Sequence, residues 1–147
     1  MLANIDVNSS VPVYIQIENE VRFGIASGKL KADDRLPSVR ELSERIKVNP
    51  NTVAKSYRDL EVMGLVYTRQ GMGVYIAKGV VPRCREDVAR MVADHLHEAI
   101  GEAKSAGYGV KDIKELVSLS LTLNTSTYGD PPKELVDLAK KFKPKGA

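Results

Sequence analysis

Hydrophobic positions change their period along the chain, and those changes mark its elements. Tyr14, Ile17, Val21 and Ile25 recur at helical spacing over about Val13–Ser27. Pro12 suits the start of that helix and Gly28 its end. A second stripe, Val39, Leu42 and Ile46, predicts a short helix ending near Ile46 or Lys47. Ser38 and Glu41 open it as an S-x-x-E capping box, in which each side chain satisfies an orphan backbone donor. Asn49 then offers a new N-cap and Pro50 a first helical residue, followed by Val53, Tyr57 and Leu60 and a stop at Gly64. Two short helices so closely joined cannot lie side by side along their length, so they cross steeply as in a helix-turn-helix.

The pattern next turns β-prone. Leu65–Thr68 and Val74–Ala77 flank Arg69-Gln70-Gly71-Met72-Gly73, which predicts a hairpin with a bulged or longer loop. Three helices and a hairpin make a winged helix-turn-helix, so the expected fold class is mostly α, formally α+β. Val80-Val81-Pro82 interrupts the pattern and sets the expected boundary between domains 1–79 and 80–147. Beyond it, Val88, Met91, Val92, Leu96, Ala99, Ile100 and Ala103 form a wide stripe on a long helix over about Arg85–Ser105. Gly107-Tyr108-Gly109 breaks it before a helix carrying Val110, Ile113, Leu116, Val117, Ser120 and Leu121, which predicts an αα-hairpin. Asn124–Pro132 reads as a loop, and Leu135, Leu138 and Phe142 as a last short helix.

A length of 147 residues allows one domain or two small ones, and the 43% apolar and 28% charged content excludes a disordered chain. The single Cys84 excludes a disulfide framework. Neither a membrane-length apolar run nor a secretory signal pattern is visible, so a cytoplasmic protein is expected. The net charge of +3 selects no partner, but its distribution does. Between Arg35 and Lys78 eight basic residues meet four acidic ones, so that segment carries +4 and the remainder −1. A cationic segment on a near-neutral body suggests a surface for a polyanion.

Catalytic constellations are missing: there is no nucleophile motif, phosphate-binding loop or zinc spacing. Gly71-Met72-Gly73 lies inside a hairpin with no helix after it, unlike a nucleotide-binding loop. His95 and His97 are two residues apart and face different sides of a helix, and Cys84 has no partner for metal chemistry. A non-enzyme without metal or cofactor is expected.

From Pro12 to Ala77 the chain resembles the DNA-binding domain of GntR-family bacterial transcription regulators. The carrying residues are Pro12, Tyr14, Ile17, Ser27-Gly28, Leu30, Leu36-Pro37-Ser38, Arg40-Glu41-Leu42, Val48-Asn49, Asn51-Thr52-Val53, Tyr57, Leu60, Gly64-Leu65, Gly71 and Gly73. The 65 residues after Pro82 are too few for the large effector or aminotransferase-like domains of several branches. A short helical extension together with Asn49–Val53 is most similar to the YtrA branch. The resemblance implies homodimers paired through C-terminal helices, acting as repressors of transporter operons on a palindromic operator in double-stranded DNA.

On that pattern, the third helix buries Val53, Tyr57 and Leu60 and presents Asn51, Lys55 and Arg58 to the major groove, with Thr52 and Ser56 at the flanks. Its first turn, Asn49 to Thr52, offers free N–H groups to a phosphate. Arg40 matches the arginine that reaches DNA in the family, and Ser38 stands near a phosphate. In the wing, Gly71 and Gly73 permit close backbone approach, while Arg69 and Gln70 meet the minor groove or a phosphate. Pro50 and Ala54 stand where the family pattern often has arginines, so its operator consensus does not carry over. The stripe on Arg85–Ser105 is too broad for a two-helix extension to cover internally, so Val88, Met91, Val92, Leu96 and Ile100, with Ile113, Leu116 and Val117 of the next helix, are expected to bury against a second copy. Two other readings remain open: a winged-helix protein-interaction module without DNA, and a ligand- or metal-gated sensor using the C-terminal helices for an unidentified small-molecule effector.

Overall fold

The computed structural model describes Leu2 and residues 4–143. In chain order its elements are α1 (Val13–Ser27), α2 (Val39–Ile46), α3 (Pro50–Val62), β1 (Val66–Arg69), β2 (Gly73–Ile76), α4 (Val81–Ser105), α5 (Val110–Thr122) and α6 (Lys133–Lys141). This is a mostly helical chain with one two-stranded antiparallel sheet. It divides into two compact units, residues 1–89 and 90–147, each described by itself.

In the first unit, α1 packs chiefly on α3, and α3 packs on α2 and β1. Ile17, Val21 and Ile25 of α1 meet Leu42 of α2 and Val53, Tyr57 and Leu60 of α3 in one buried cluster. Leu30, Leu36, Leu65, Val66 and Ile76 close it from the connections and the hairpin. Tyr57 is buried, and its hydroxyl donates to the Pro37 carbonyl at 2.6 Å, which ties the third helix to the start of the second. Burial holds its phenol well above the usual tyrosine range.

Gln16 is also fully buried. Its amide donates to the carbonyls of Asp6 and Val11 and accepts from the Asp6 N–H, each at 2.8 Å, so it fastens the segment before α1. A polar side chain tolerates this position because all of its bonds are internal.

The hairpin pairs Val66 with Ile76, Tyr67 with Tyr75, Thr68 with Val74 and Arg69 with Gly73. Both strands begin or end one residue away from the expected runs. Leu65 and Ala77 still bond across, Ala77 N–H donating to the Leu65 carbonyl at 3.0 Å. The segment before Leu36 joins the hairpin. Asp33 N–H donates to Ile76, Ile76 N–H to Asp34, and Leu36 N–H to Val74, so the chain at 33–36 runs along the open edge of β2.

The Val80–Pro82 break expected as the boundary lies inside the first unit. Val80 and Cys84 are buried in its core, and α4 begins at Val81 rather than near Arg85. Pro82 falls in the first helical turn, where the missing N–H has no intrahelical partner to lose.

In the second unit, α5 takes α6 as its packing partner rather than forming the expected hairpin with α4. Tyr108 explains the choice: its hydroxyl donates to the Ala139 carbonyl at 3.0 Å and its ring meets Phe142 edge-on at 6.2 Å. No residue of α5 or α6 is fully buried. Val92 and Leu96 of α4 are each 51% exposed and Val117 42%, while Met91, Ile100, Ile113 and Leu116 are half-buried, as is Val88 in the part of α4 that belongs to the first unit.

Candidate nucleic-acid interface

The site is built on the ends of two short helices and on the hairpin, all in the first unit. Ser38 Oγ accepts from the Glu41 N–H at 3.1 Å, and Glu41 Oε2 accepts from the Ser38 N–H at 2.7 Å. This reciprocal cap fixes the first turn of α2, and the bonds from Ser38 hold the Glu41 carboxyl below its ordinary range. One residue into that turn, Arg40 projects into solvent. Its Nε lies 3.0 Å from Glu44 Oε1, with side chains 87% and 67% exposed, an ion pair too solvated to hold it firmly.

Between the helices Lys47 takes a left-handed conformation, φ 57°, and Asn49 begins α3. Asn49 Oδ1 accepts from the Asn51 N–H at 2.8 Å, so the side-chain carbonyl is committed to the cap and the amide group is what it presents outward. Pro50, Asn51 and Arg58 are exposed and Thr52 is half-exposed. Arg58 has no ion pair among the described residues.

Two residues of the expected reading face behave differently. Ser56 is fully buried and its hydroxyl lies against the carbonyls of Tyr14 and Thr52, so it serves the α1–α3 contact. Lys55 is drawn toward α1. Its Nζ lies 2.8 Å from Asp59 Oδ2 and 4.5 Å from the centroid of the Tyr14 ring. The bond to Asp59 raises its affinity for its proton.

Behind this pair stands Glu18, which the sequence reading passed over. It is only 4% exposed, and its Oε1 has no hydrogen-bond partner. Burial, together with the adjacent Asp59 carboxyl, pushes its pKa up to about 7, against the opposing fields of Arg22 and Lys55. Asp59, bonded to Lys55, moves the other way and stays ionised. The signal was present in the sequence, since Glu18 lies four residues after Tyr14 on the stripe that continues to Val21 and Ile25.

In the wing, the Tyr67 and Tyr75 rings stack at 5.7 Å, and the guanidinium of Arg69 lies over both, 5.5 and 5.2 Å from their centroids. Tyr67 hydroxyl donates to Asp33 Oδ1 at 2.7 Å, and Lys78 pairs with the same carboxylate at 3.4 Å. Both interactions lower the Asp33 pKa, the tyrosine bond most. Gln70 and Gly71 form the exposed loop tip. Gly73 has φ +117°, and a Cβ there would come within 2.9 Å of Arg35 Nε. Glycine is required for the backbone, and the exposed Arg35 side chain lies in the space a Cβ would enter. Arg35 is exposed, bridges to Tyr75 through its backbone and joins no ion pair among the described residues. It has no periodic signature, because only the non-local pairing of 33–36 brings it to the wing.

These elements place Ser38 and Arg40, Asn49–Arg58 and the wing residues Arg69, Gln70, Gly71 and Gly73 on one compact unit. Arg35, Arg58 and Arg69 are among the cationic groups with no acidic partner within ion-pair distance among the described residues. No helix of the described residues is long and apolar enough to cross a membrane.

Comparison with known proteins agrees with this arrangement. The family described as "Bacterial regulatory proteins, gntR family" matches residues 13–76, from the first residue of α1 to the last of β2. The HTH-type transcriptional repressor YtrA of Bacillus subtilis (strain 168) is 36% identical over 116 residues, covering 79% of this chain and 89% of that protein. A GntR family transcriptional regulator from Listeria monocytogenes superimposes with a TM-score of 0.57 at 34% identity, over 74% of this chain and 95% of the other. A transcriptional regulator from Oenococcus oeni gives 0.57 at 32% identity, over 80% and 97%. The match to YtrA runs well beyond the winged unit, so the likeness includes part of the helical extension. The chain therefore belongs to the GntR family of bacterial regulatory proteins, as a YtrA-like DNA-binding transcription regulator and not an enzyme.

Proposed function

We propose that this regulator is a homodimeric repressor that acts in the cytoplasm on a palindromic operator, one winged unit per half-site, and governs a transporter operon. The observation that carries the DNA-reading part is the capped pair of short helices. Ser38–Glu41 and Asn49–Asn51 fix two exposed first turns, and Tyr57 holds α3 against the start of α2. Arg40 then reaches a base edge or phosphate once it leaves Glu44. Asn51, Thr52 and Arg58 face the major groove, with Asn49 and Ser38 at phosphates. Lys55 joins them by leaving Asp59. Arg69, Gln70, Gly71 and Gly73 bring the wing to the minor groove or backbone, with Arg35 beside them.

The dimer reading is supported by the exposed side chains of the second unit. Val92, Leu96, Val117 and Leu121 lie open, and with Met91, Ile100, Ile113 and Leu116 they supply the apolar surface a second copy would cover, while Val88 lies in the part of α4 that belongs to the first unit. Half-sites about one helical turn apart follow from such pairing.

The test is a mobility shift with the DNA upstream of the protein's own gene. Arg40→Ala should weaken binding by roughly 1–3 kcal/mol, and affinity should fall steeply with salt. Unchanged binding by Arg40→Ala would remove Arg40 from the interface. Sedimentation as a monomer at micromolar concentration would refute the dimer.

A further inference from the structure

At the C-terminal end of α3 lies an open cleft of about 280 Å³, lined by Arg22, Met63, Leu65, Arg83 and Asp87, all within the first unit. Two guanidinium groups meet there on one residue. Arg22 donates from one Nη to the Met63 thioether at 2.8 Å and from the other to Asn19 Oδ1 at 3.3 Å. Arg83 donates from Nη2 to the Met63 carbonyl at 2.6 Å. Neither forms an ion pair among the described residues.

An arginine carries five N–H donors, so most of the donors of both residues are left over. A thioether and a carbonyl satisfy hydrogen bonds without neutralising charge, and two guanidinium groups in one cleft repel. Asp87 is the one carboxylate in the lining, which leaves the cleft with a net charge of +1. A single carboxylate accepting from both forks would balance it, in the planar geometry arginine favours.

Ligand class follows from the remaining walls. Met63 and Leu65 are apolar and suit an aliphatic or aromatic body, which an inorganic ion lacks. The Asp87 carboxylate repels a dianion such as phosphate. The volume stands at the small end of ligand sites. We infer that this cleft, bounded by α1, the end of α3 and the first turns of α4, is a binding site for a small organic monocarboxylate.

The probe is hexanoate, added to the full chain carrying 13C-methyl methionine. Hexanol, inorganic phosphate and chloride serve as controls at matched ionic strength. Hexanoate should shift the Met63 methyl signal saturably, with a Kd of about 1 mM or tighter, and leave Met72 and Met91 in place. Arg22→Gln combined with Arg83→Gln should weaken it at least about tenfold. The site is overturned if Met63 does not respond, if hexanol or phosphate produces the same shift, or if the double variant binds as well. The wild-type shift decides the matter even if the double variant does not fold. Its failure would leave the DNA-reading proposal untouched, since that is measured separately on operator DNA.

Discussion

Lys55 and Asp59 stand one turn apart on α3, with Nζ and Oδ2 at 2.8 Å and the ammonium over the Tyr14 ring. A cation expected to face DNA is thus held by a carboxylate on its own helix. Asp59→Asn should free it and remove a negative charge from the same surface. An exposed pair of this kind is worth about 0.2–1 kcal/mol, so DNA affinity should rise by up to roughly fivefold. Titrating wild type and variant against the same duplex at two salt concentrations checks this, with the steeper salt dependence expected for the variant.

Glu18 makes the fold sensitive to pH. Its pKa is raised in the folded state from 4.5 to about 7, so between those values the native chain holds a proton that the unfolded chain releases. Stability conferred by the neutral acid is therefore lost as pH climbs through that window. The lowered Asp59 pKa acts in the opposite sense, but only in the acid range below 3.8. Glu18→Gln mimics the protonated acid. Urea unfolding should find it more stable than wild type by about 1–3 kcal/mol at pH 8 and nearly equal to it at pH 4.5.

Removing the cap of α2 tests the first turn that carries Arg40. Ser38→Ala strips the acceptor from the Glu41 N–H and should cost about 1 kcal/mol. Denaturant midpoints of the two proteins, measured without DNA, give the answer. Acid should act on the other half of the box, since protonating Glu41, whose pKa is lowered in the fold, weakens the bond its carboxylate accepts from the Ser38 N–H.

In the wing, Gly73→Ala meets one obstacle, a φ of +117°, since the exposed Arg35 side chain 2.9 Å from the added Cβ can swing aside. A side chain in that backbone region costs of order 1–3 kcal/mol. Thermal unfolding should register the loss. Amide exchange across Thr68–Val74 should quicken more than exchange in α1, because the damage is local to the hairpin.

The sequence made the winged unit legible where the signals are local. Pro12 and Gly28 bracket α1, the Ser38–Glu41 box opens α2, and Asn49-Pro50 opens α3, because caps act within three or four residues. Contacts between distant segments were not legible. The pairing of 33–36 with β2 carries no periodicity, so nothing in the pattern assigns Arg35 to the wing. Ser56 has the helical phase of a flank residue, yet the backbone of α1 takes its hydroxyl. The αα-hairpin failed for a similar reason. Glycines at 107 and 109 allow a reversal, but Tyr108 and Phe142 select α6 as the neighbour of α5.

The tyrosine shelf beneath Arg69 has a thermodynamic consequence for whatever anion that arginine meets. A free arginine loses rotamer freedom on binding, about 0.5–1.5 kcal/mol for a side chain immobilised at an interface. Arg69 already rests over two stacked rings, and one of them, Tyr67, is anchored through its hydroxyl to Asp33. Much of its ordering has therefore happened when the hairpin folds, before any partner arrives. The wing offers a pre-set cation, and the entropy of positioning it belongs to folding rather than to recognition.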